Sequence, residues 1–251
     1  MDPRKEICNI GRKLEAKGLV AATDGNISFR IAPDRILITP SGVSKGALEE
    51  DSFLTINTKG AVVAGSGRPS SEISMHLAVY EKRPDVKAVI HAHPPITTAL
   101  TVAGIELAQC VIPEVVITMG SIPTAEYATP CTEEGAIAIK NLIQDADAII
   151  LDRHGSLTVG DSLQSAYFKL EKLEHAANVT ATARMLGKVK VLPENEVKKL
   201  IDLRQKLGIK SRSNPCDSCR ACEKEPKEKI NVDNEALVNL LTDEIVKRIQ
   251  K

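Results

Sequence analysis

The sequence predicts an α/β core of several short strands and intervening helices, followed by a linker and a short amphipathic helix. Three observations lead there. Short Val/Ile-rich runs are bounded by Gly, Pro, Asn and Ser, as strands are. Longer segments carry apolar residues at helical spacing. After Gly208 the composition turns polar, charged and Pro-containing before a last helical pattern begins.

In chain order, residues 3–18 read as an amphipathic helix, with Ile7, Ile10 and Leu14 on one stripe and Gly18 closing it. Residues 23–29 form a turn feeding a strand, 36–39 a second strand, and 40–46 a loop of small residues. The apolar runs 53–56 and 61–64 flank Lys59-Gly60 and signal a hairpin. Ser70 and Ser71 cap a helix running from Glu72 to about Arg83. That helix leads into a Val/Ile-rich strand ending at His91, His93 and Pro94. Residues 96–103 are expected to be helical, 111–118 β-like, 132–143 helical and 148–151 a strand. A long helical pattern over 162–186 passes through Tyr167, Leu170, Leu173 and Val179, and 194–207 is helical again. There is no internal repeat and no βαβ rhythm long enough for a doubly wound sheet. The expected organisation is therefore a main unit over 1–210, a linker over 211–233 and a helix over 234–251.

Composition narrows the function. Lys+Arg and Asp+Glu balance at 33 each, so no basic surface argues for nucleic acid and no acidic excess argues for disorder. No apolar run reaches the ~18 residues of a membrane span. The N-terminus opens directly into a helical pattern without a secretory apolar region, and six cysteines in such a chain fit a reducing compartment. A cytoplasmic protein is expected.

The chemistry centres on residues 68–94. His91 and His93 alternate at a strand end, which places both imidazoles on one face. Two imidazoles held by a rigid strand begin a metal site of the zinc type. Glu72, at a helix start, is a fourth ligand or a proton acceptor, and His154 beyond another apolar strand is the best third imidazole. Near this set lie three segments of small polar residues: Gly25-Asn26, Ser41-Gly42 and Ser70-Ser71. Glycines let backbone approach a ligand, and a serine pair at a helix N-terminus adds free N–H groups. Each segment alone reads as an ordinary turn or cap; together they outline a phosphate pocket beside a divalent cation.

The ordered motifs Gly-Asn-Ile-Ser, Ile-Thr-Pro-Ser-Gly, Pro-Ser-Ser-Glu-x-x-x-His, His-Ala-His-Pro and Arg-His-Gly resemble those of the class II aldolase/adducin family, nearest its L-fuculose-1-phosphate aldolase branch. The resemblance spans roughly residues 5–208. It implies a central, mainly antiparallel sheet flanked by helices, and a homotetramer with sites at subunit interfaces. It implies zinc, or another divalent metal, on His91, His93 and His154, with Glu72 as catalytic acid/base that also approaches the metal. Asn26, Gly42, Ser70 and Ser71, with Gly25, Thr23 and Ser41, would hold the phosphate. The implied reaction splits a ketose 1-phosphate, such as L-fuculose 1-phosphate or a 5-deoxypentulose 1-phosphate, into dihydroxyacetone phosphate and an aldehyde through a metal-stabilised enediolate. The same family includes L-ribulose-5-phosphate 4-epimerases, which resemble this chain but carry aspartate at the Glu72 position. Two family tyrosines are missing: one from the segment near 111–119, the other where this chain reads Gln205-Lys-Leu-Gly208.

The remaining features have competing readings. His76 lies one helical turn after Glu72, so packing and a role behind the site are both open. His175 reads as structural, and Cys8, Cys110 and Cys131 as buried thiols. Cys216, Cys219 and Cys222 offer three thiolates to a second soft metal but lack a local fourth ligand; redox activity or an idle linker are the alternatives. In 234–251, Leu237, Leu241, Ile245 and Ile249 recur every fourth residue. Such a helix packs on its own assembly or docks on a microcompartment shell protein, the latter resembling a short encapsulation peptide. A non-catalytic scaffold acting through this tail is the reading of a different class.

Overall fold

The structure is a computed structural model that describes residues 2–107 and 110–209. The expected linker, its cysteines and the terminal helix lie outside the described residues. Helix α1 (Pro3–Ala16) starts with Asp2 accepting the Arg4 N–H and Pro at its first turn, and buries Ile7, Ile10 and Leu14. Strands β1 (Asn26–Ala32), β2 (Arg35–Ile38), β3 (Leu54–Ile56) and β4 (Val62–Ala64) follow as antiparallel neighbours. Helix α2 (Ile73–Lys82) leads to β5 (Ala88–Ala92), and α3 (Pro95–Val102) to α4 (Pro113–Thr118). Then come β6 (Thr124–Ala125), α5 (Glu133–Ile139), β7 (Ala148–Leu151), β8 (Gly155–Gly160), α6 (Leu163–Leu186) and α7 (Glu194–Lys206).

The eight strands form one sheet in the order β4-β3-β2-β1-β5-β8-β7-β6, antiparallel throughout except for the β6/β7 pair. One face packs under α1 and α6, where Ile10, Leu14, Ile27, Ile90, Ala166 and Leu170 share a core. The other face packs under α2 and α5, with Ile38, Val79, Val89, Ile139 and Leu157 among its core. A helix-flanked, mainly antiparallel sheet is therefore what the chain forms. The central strand β5 is buried at every position, so its His91 is carried by a fully enclosed strand.

Three expectations change, and one unassigned segment gains an element. Residues 111–118 are not β-like: Pro113 opens helix α4, and burial of Val115 and Val116 against α6 and α7 outweighs the strand preference of Val and Ile. The helix over 132–143 is shorter, ending at Ile139 before a separate 3-10 turn at Leu142–Gln144. Residues 155–160, to which the sequence pattern assigns no element, form a buried strand whose small residues let neighbours approach closely. In α6 the stripe runs through Leu163, Ala166, Tyr167, Leu170 and Leu173, while Val179 is exposed.

Candidate metal centre and active site

His91 sits on β5 and His93 one residue beyond its end, with the intervening Ala92 on the opposite face. The β7–β8 connection is only three residues long, and Arg153 within it adopts φ 55°, turning the chain tightly so that His154 faces the same point. The turn is held by the His154 N–H on the Leu151 carbonyl and the Arg153 N–H on Thr101 Oγ1. Glu72 occupies the N-cap position of α2, but its side chain makes no capping bond, and its own backbone N–H donates to Ser70 Oγ. Its carboxylate is therefore available to the imidazoles.

The three rings stand 4.7–4.8 Å apart, centroid to centroid. One ligand atom from each of Glu72, His91, His93 and His154 lies within 4.8 Å of the others. His91 Nε2 is 3.1 Å from Glu72 Oε2, and His154 Nε2 is 3.2 Å from Glu72 Oε1. The buried Oε1 takes no hydrogen bond of good geometry. His91 Nδ1–H donates to the Ser156 carbonyl at 3.0 Å, which leaves Nε2 as a lone pair. That lone pair faces His93 Nε2 at 2.9 Å. Two imidazole nitrogens that close, beside an orphaned carboxylate oxygen, call for a shared positive charge, and a tetrahedral cation supplies it. The donor set fits a metal.

Electrostatics agree. Burial pushes the Glu72 carboxyl up, but His154 and His91 more than offset this and hold it well below the usual carboxylate range. Burial, with the charges of His91 and His154, lowers His93 to about 4, so it is a neutral ligand at neutral pH. Asp24 Oδ2 approaches His93 Nδ1 at 3.4 Å from the solvent side.

The small-residue segments surround this point. Gly25 has φ 74°, and a Cβ there would lie 2.9 Å from the His91 carbonyl, so only glycine allows the approach to β5. Asn26 heads β1 opposite His91 in register. The Ser41–Gly42 turn is exposed, and a Pro40–Pro69 bridge sets it beside the Ser70–Ser71 pair, of which Ser70 is buried and Ser71 exposed. Thr23 is exposed, and its carbonyl accepts from the buried Lys45 ammonium at 2.9 Å, which also donates to the Val43 carbonyl. Lys45 thereby ties the two loops together.

Several contributors escaped the sequence. Asn26 turns its amide to the Glu72 carboxylate, and His76 is fully buried and bonded to Asn26 and Ser28. The spacing of Glu72 and His76 by four already leaves a role behind the site open for His76; extended to Tyr80, it marks the whole row. Lys45 and Asp24 carried no such signal. Cys8 and Cys110 are buried as expected, but Cys131 is exposed with its Sγ 3.0 Å from Ser71 Oγ, because φ 63° turns it out of the chain before α5. His175 is exposed on α6. Beside Glu72 and His154 a cleft opens between Met75, Ala138 and Leu151 on one side and Thr129, Cys131 and Thr132 on the other. Among the described residues, no helix is long and apolar enough to cross a membrane.

Residues 5–181 match the family described as class II aldolase and adducin N-terminal domain. The chain belongs to this family. A 5-deoxy-D-ribulose 1-phosphate aldolase from Bacillus thuringiensis is 31% identical over 198 residues, covering 78% of this chain and 92% of its own. A 3-oxo-tetronate 4-phosphate decarboxylase from Escherichia coli is 31% identical over 180 residues, covering 70% and 84%. A solved structure of L-fuculose 1-phosphate aldolase superposes with a TM-score of 0.75 at 31% identity, covering 82% of this chain and 96% of that one. A class II aldolase fold thus carries a His/Glu cluster suited to a metal, and similarly related proteins differ in the reaction they are named for.

Proposed function

We propose that this protein is a zinc-dependent aldolase that splits a ketose 1-phosphate, of the L-fuculose or 5-deoxypentulose type, into dihydroxyacetone phosphate and a short aldehyde. The observation that carries this is the convergence of the buried Glu72 carboxylate with His91, His93 and His154. The three histidines would hold the cation, with the His91–Ser156 bond fixing one ring. A divalent cation held there would supply Lewis acidity to a ketone carbonyl and to the electron pair left when the adjacent carbon–carbon bond breaks. Glu72, ionised at the outset, would take up the proton that the substrate hydroxyl gives up as it becomes the aldehyde carbonyl and return it to the carbon left with that electron pair, with both transfers reversed in the synthetic direction. The phosphate rests on Thr23, Gly25, Ser41, Gly42, Ser70 and Ser71, and Asn26 has a second amide hydrogen to add. Anchoring at that end sets the reacting carbon against Glu72. The cleft by Met75, Leu151 and Cys131 receives the aldehyde half.

A decarboxylase is the second reading, favoured by the similarity to the Escherichia coli protein. It needs the same electron-pair stabilisation, with carbon dioxide leaving in place of the aldehyde. The epimerase reading is weaker because Glu72 is not aspartate. The test is release of dihydroxyacetone phosphate from L-fuculose 1-phosphate and 5-deoxyribulose 1-phosphate, with and without a chelator. Chelator-sensitive release is expected, and a Glu72→Gln variant should keep its fold and lose about 10²–10⁴-fold in turnover. Carbon dioxide release from a 3-oxo acid phosphate, without cleavage of either ketose, would overturn the aldolase reading. We further infer a homotetramer, measurable by light scattering, and a tail beyond residue 210 that acts separately from this unit. Deleting 234–251 should leave turnover intact and abolish association with shell proteins; unchanged association refutes that docking role.

A further inference from the structure

Behind Glu72 runs a file of buried polar side chains that the reaction itself does not use. Helix α2 and the position before it place Glu72, His76 and Tyr80 on one face, four residues apart. Strand β1 places Asn26 and Ser28 on the facing side, two residues apart. The two rows interlock. Asn26 Nδ2 donates to Glu72 Oε2 at 2.9 Å, and Asn26 Oδ1 meets His76 Nε2 at 2.5 Å. His76 Nδ1 meets Ser28 Oγ at 2.6 Å, and Ser28 Oγ meets Tyr80 OH at 2.8 Å. Ser28 and His76 are fully enclosed, and Asn26 and Tyr80 nearly so.

The direction of each bond between Glu72 and Ser28 follows from the carboxylate end. An ionised carboxylate only accepts, so Asn26 must turn its nitrogen to Glu72 and its oxygen to His76. His76 must then carry its proton on Nε2. Its imidazole is neutral, because burial lowers it to about 3. Nδ1 is therefore an acceptor and Ser28 donates to it, while the single Tyr80 hydroxyl proton lies between Ser28 Oγ at 2.8 Å and the Lys87 carbonyl oxygen at 3.2 Å. From Ser28 onward the file has one polarity, and it terminates on the carboxylate oxygen beside His91.

We propose that His76 is a positioning residue, which locks the Asn26 amide so that its N–H holds Glu72 at the metal site. This rests on the metal-centred reading of that site. Without the His76 N–H, Asn26 Oδ1 loses its donor in a buried place, and the amide shifts to seek another, which loosens its hold on Glu72. The carboxylate would then leave the place where it faces the three imidazoles. A hydrogen-bond donor is needed at this position, not an aromatic ring.

The test compares wild type with His76→Leu, His76→Gln and Ser28→Ala. The first reading is zinc affinity alone, by competition with a chromogenic chelator; the second is kcat and KM for the ketose phosphate that wild type cleaves. His76→Leu should weaken zinc binding about 10–100-fold, the range for loss of a group supporting a metal ligand. It should lower kcat by a larger factor than it raises KM, since Asn26 is the single phosphate contact that the change reaches. Gln at 76 has an N–H to offer Asn26, and should restore both readings to within about threefold. Ser28→Ala removes one buried oxygen and releases the tautomer, so it should weaken zinc binding severalfold even if His76→Leu fails to fold. Wild-type zinc affinity in His76→Leu, or equal loss in Leu and Gln variants, overturns the proposal. If wild type takes up no zinc, the metal reading fails, and this inference with it.

Discussion

Gly155 is where the packing of the sheet and the geometry of the site can be tested with one methyl group. It begins β8, pairs with Leu151 across the turn that carries His154, and has its own side-chain position directed at β5. A Cβ there would lie 2.3 Å from the Ala92 carbonyl oxygen and 2.9 Å from His93 Cδ2. Carbon–oxygen contacts settle near about 3.3 Å, so Gly155→Ala must part β5 and β8 locally by about 1 Å. The neighbouring atom on Ala92 is backbone in the middle of a sheet and cannot rotate away. Overpacking of this kind costs about 1–3 kcal/mol. At about 2–4 °C per kcal/mol for a chain of this size, the melting temperature should fall by up to about 10 °C. The larger effect falls on chemistry, because the strain is applied between His93 and His154. A 1 Å error in a metal and substrate frame costs about 10²-fold in turnover. Thermal unfolding by circular dichroism, zinc competition and ketose cleavage read the three effects. A Gly155→Ala protein with wild-type melting temperature and zinc affinity would refute the claim that this contact sets the spacing of the imidazoles.

Two further outcomes follow from buried charge. His76 has its pKa lowered from 6.5 to about 3 in the folded protein, first by burial and then by the charge of His91. The unfolded chain therefore takes up a proton below pH 6.5 that the folded one refuses. The stability is fully present above pH 6.5 and is lost as pH falls towards 3, by about 2 kcal/mol at pH 5. Urea unfolding of metal-free wild type and His76→Gln across pH 7 to 4 should show the variant losing about one proton's worth of slope; parallel curves would exclude it. Arg83 is buried, and its guanidinium donates to Asp85, Asp147 and the carbonyls of Ile143 and Ala146. Arg83→Met removes the donor to the buried Ile143 and Ala146 carbonyls, while Asp147 keeps Lys169, and should cost about 1–3 kcal/mol in urea unfolding while zinc affinity is kept. A loss below about 1 kcal/mol would mean that the network is solvated rather than buried.

Much of this architecture could be read in the chain because two periods are strong. The alternation at His91 and His93 and the apolar runs around it located the central strand, and the stripe of Ile7, Ile10 and Leu14 located α1. What could not be read depended on neighbours. Val115, Val116 and Ile117 have strand-like side chains, yet α6 and α7 offer them a helical partner. Strand β8 lacks a long apolar run, since its Gly155, Ser156 and Gly160 are small to fit between β5, β7 and α6. The histidine set was visible because metal ligands are chemically unusual residues. The Asn26–Ser28 row was not, because asparagine and serine near a turn have many commoner uses.

The latch made by Lys45 has a consequence for how the loops around the site can change. Its ammonium is served by the Thr23 and Val43 carbonyl oxygens, groups that every amino acid possesses. The latch itself thus sets no condition on the side chains at 23 and 43, provided that the backbone keeps its path. The demand falls on a single lysine instead of a matched pair, so one substitution at a time can explore new loop surfaces without first breaking the join. A scaffold fastened in this way can exchange the groups that greet its ligand while the frame beneath them stays where it is.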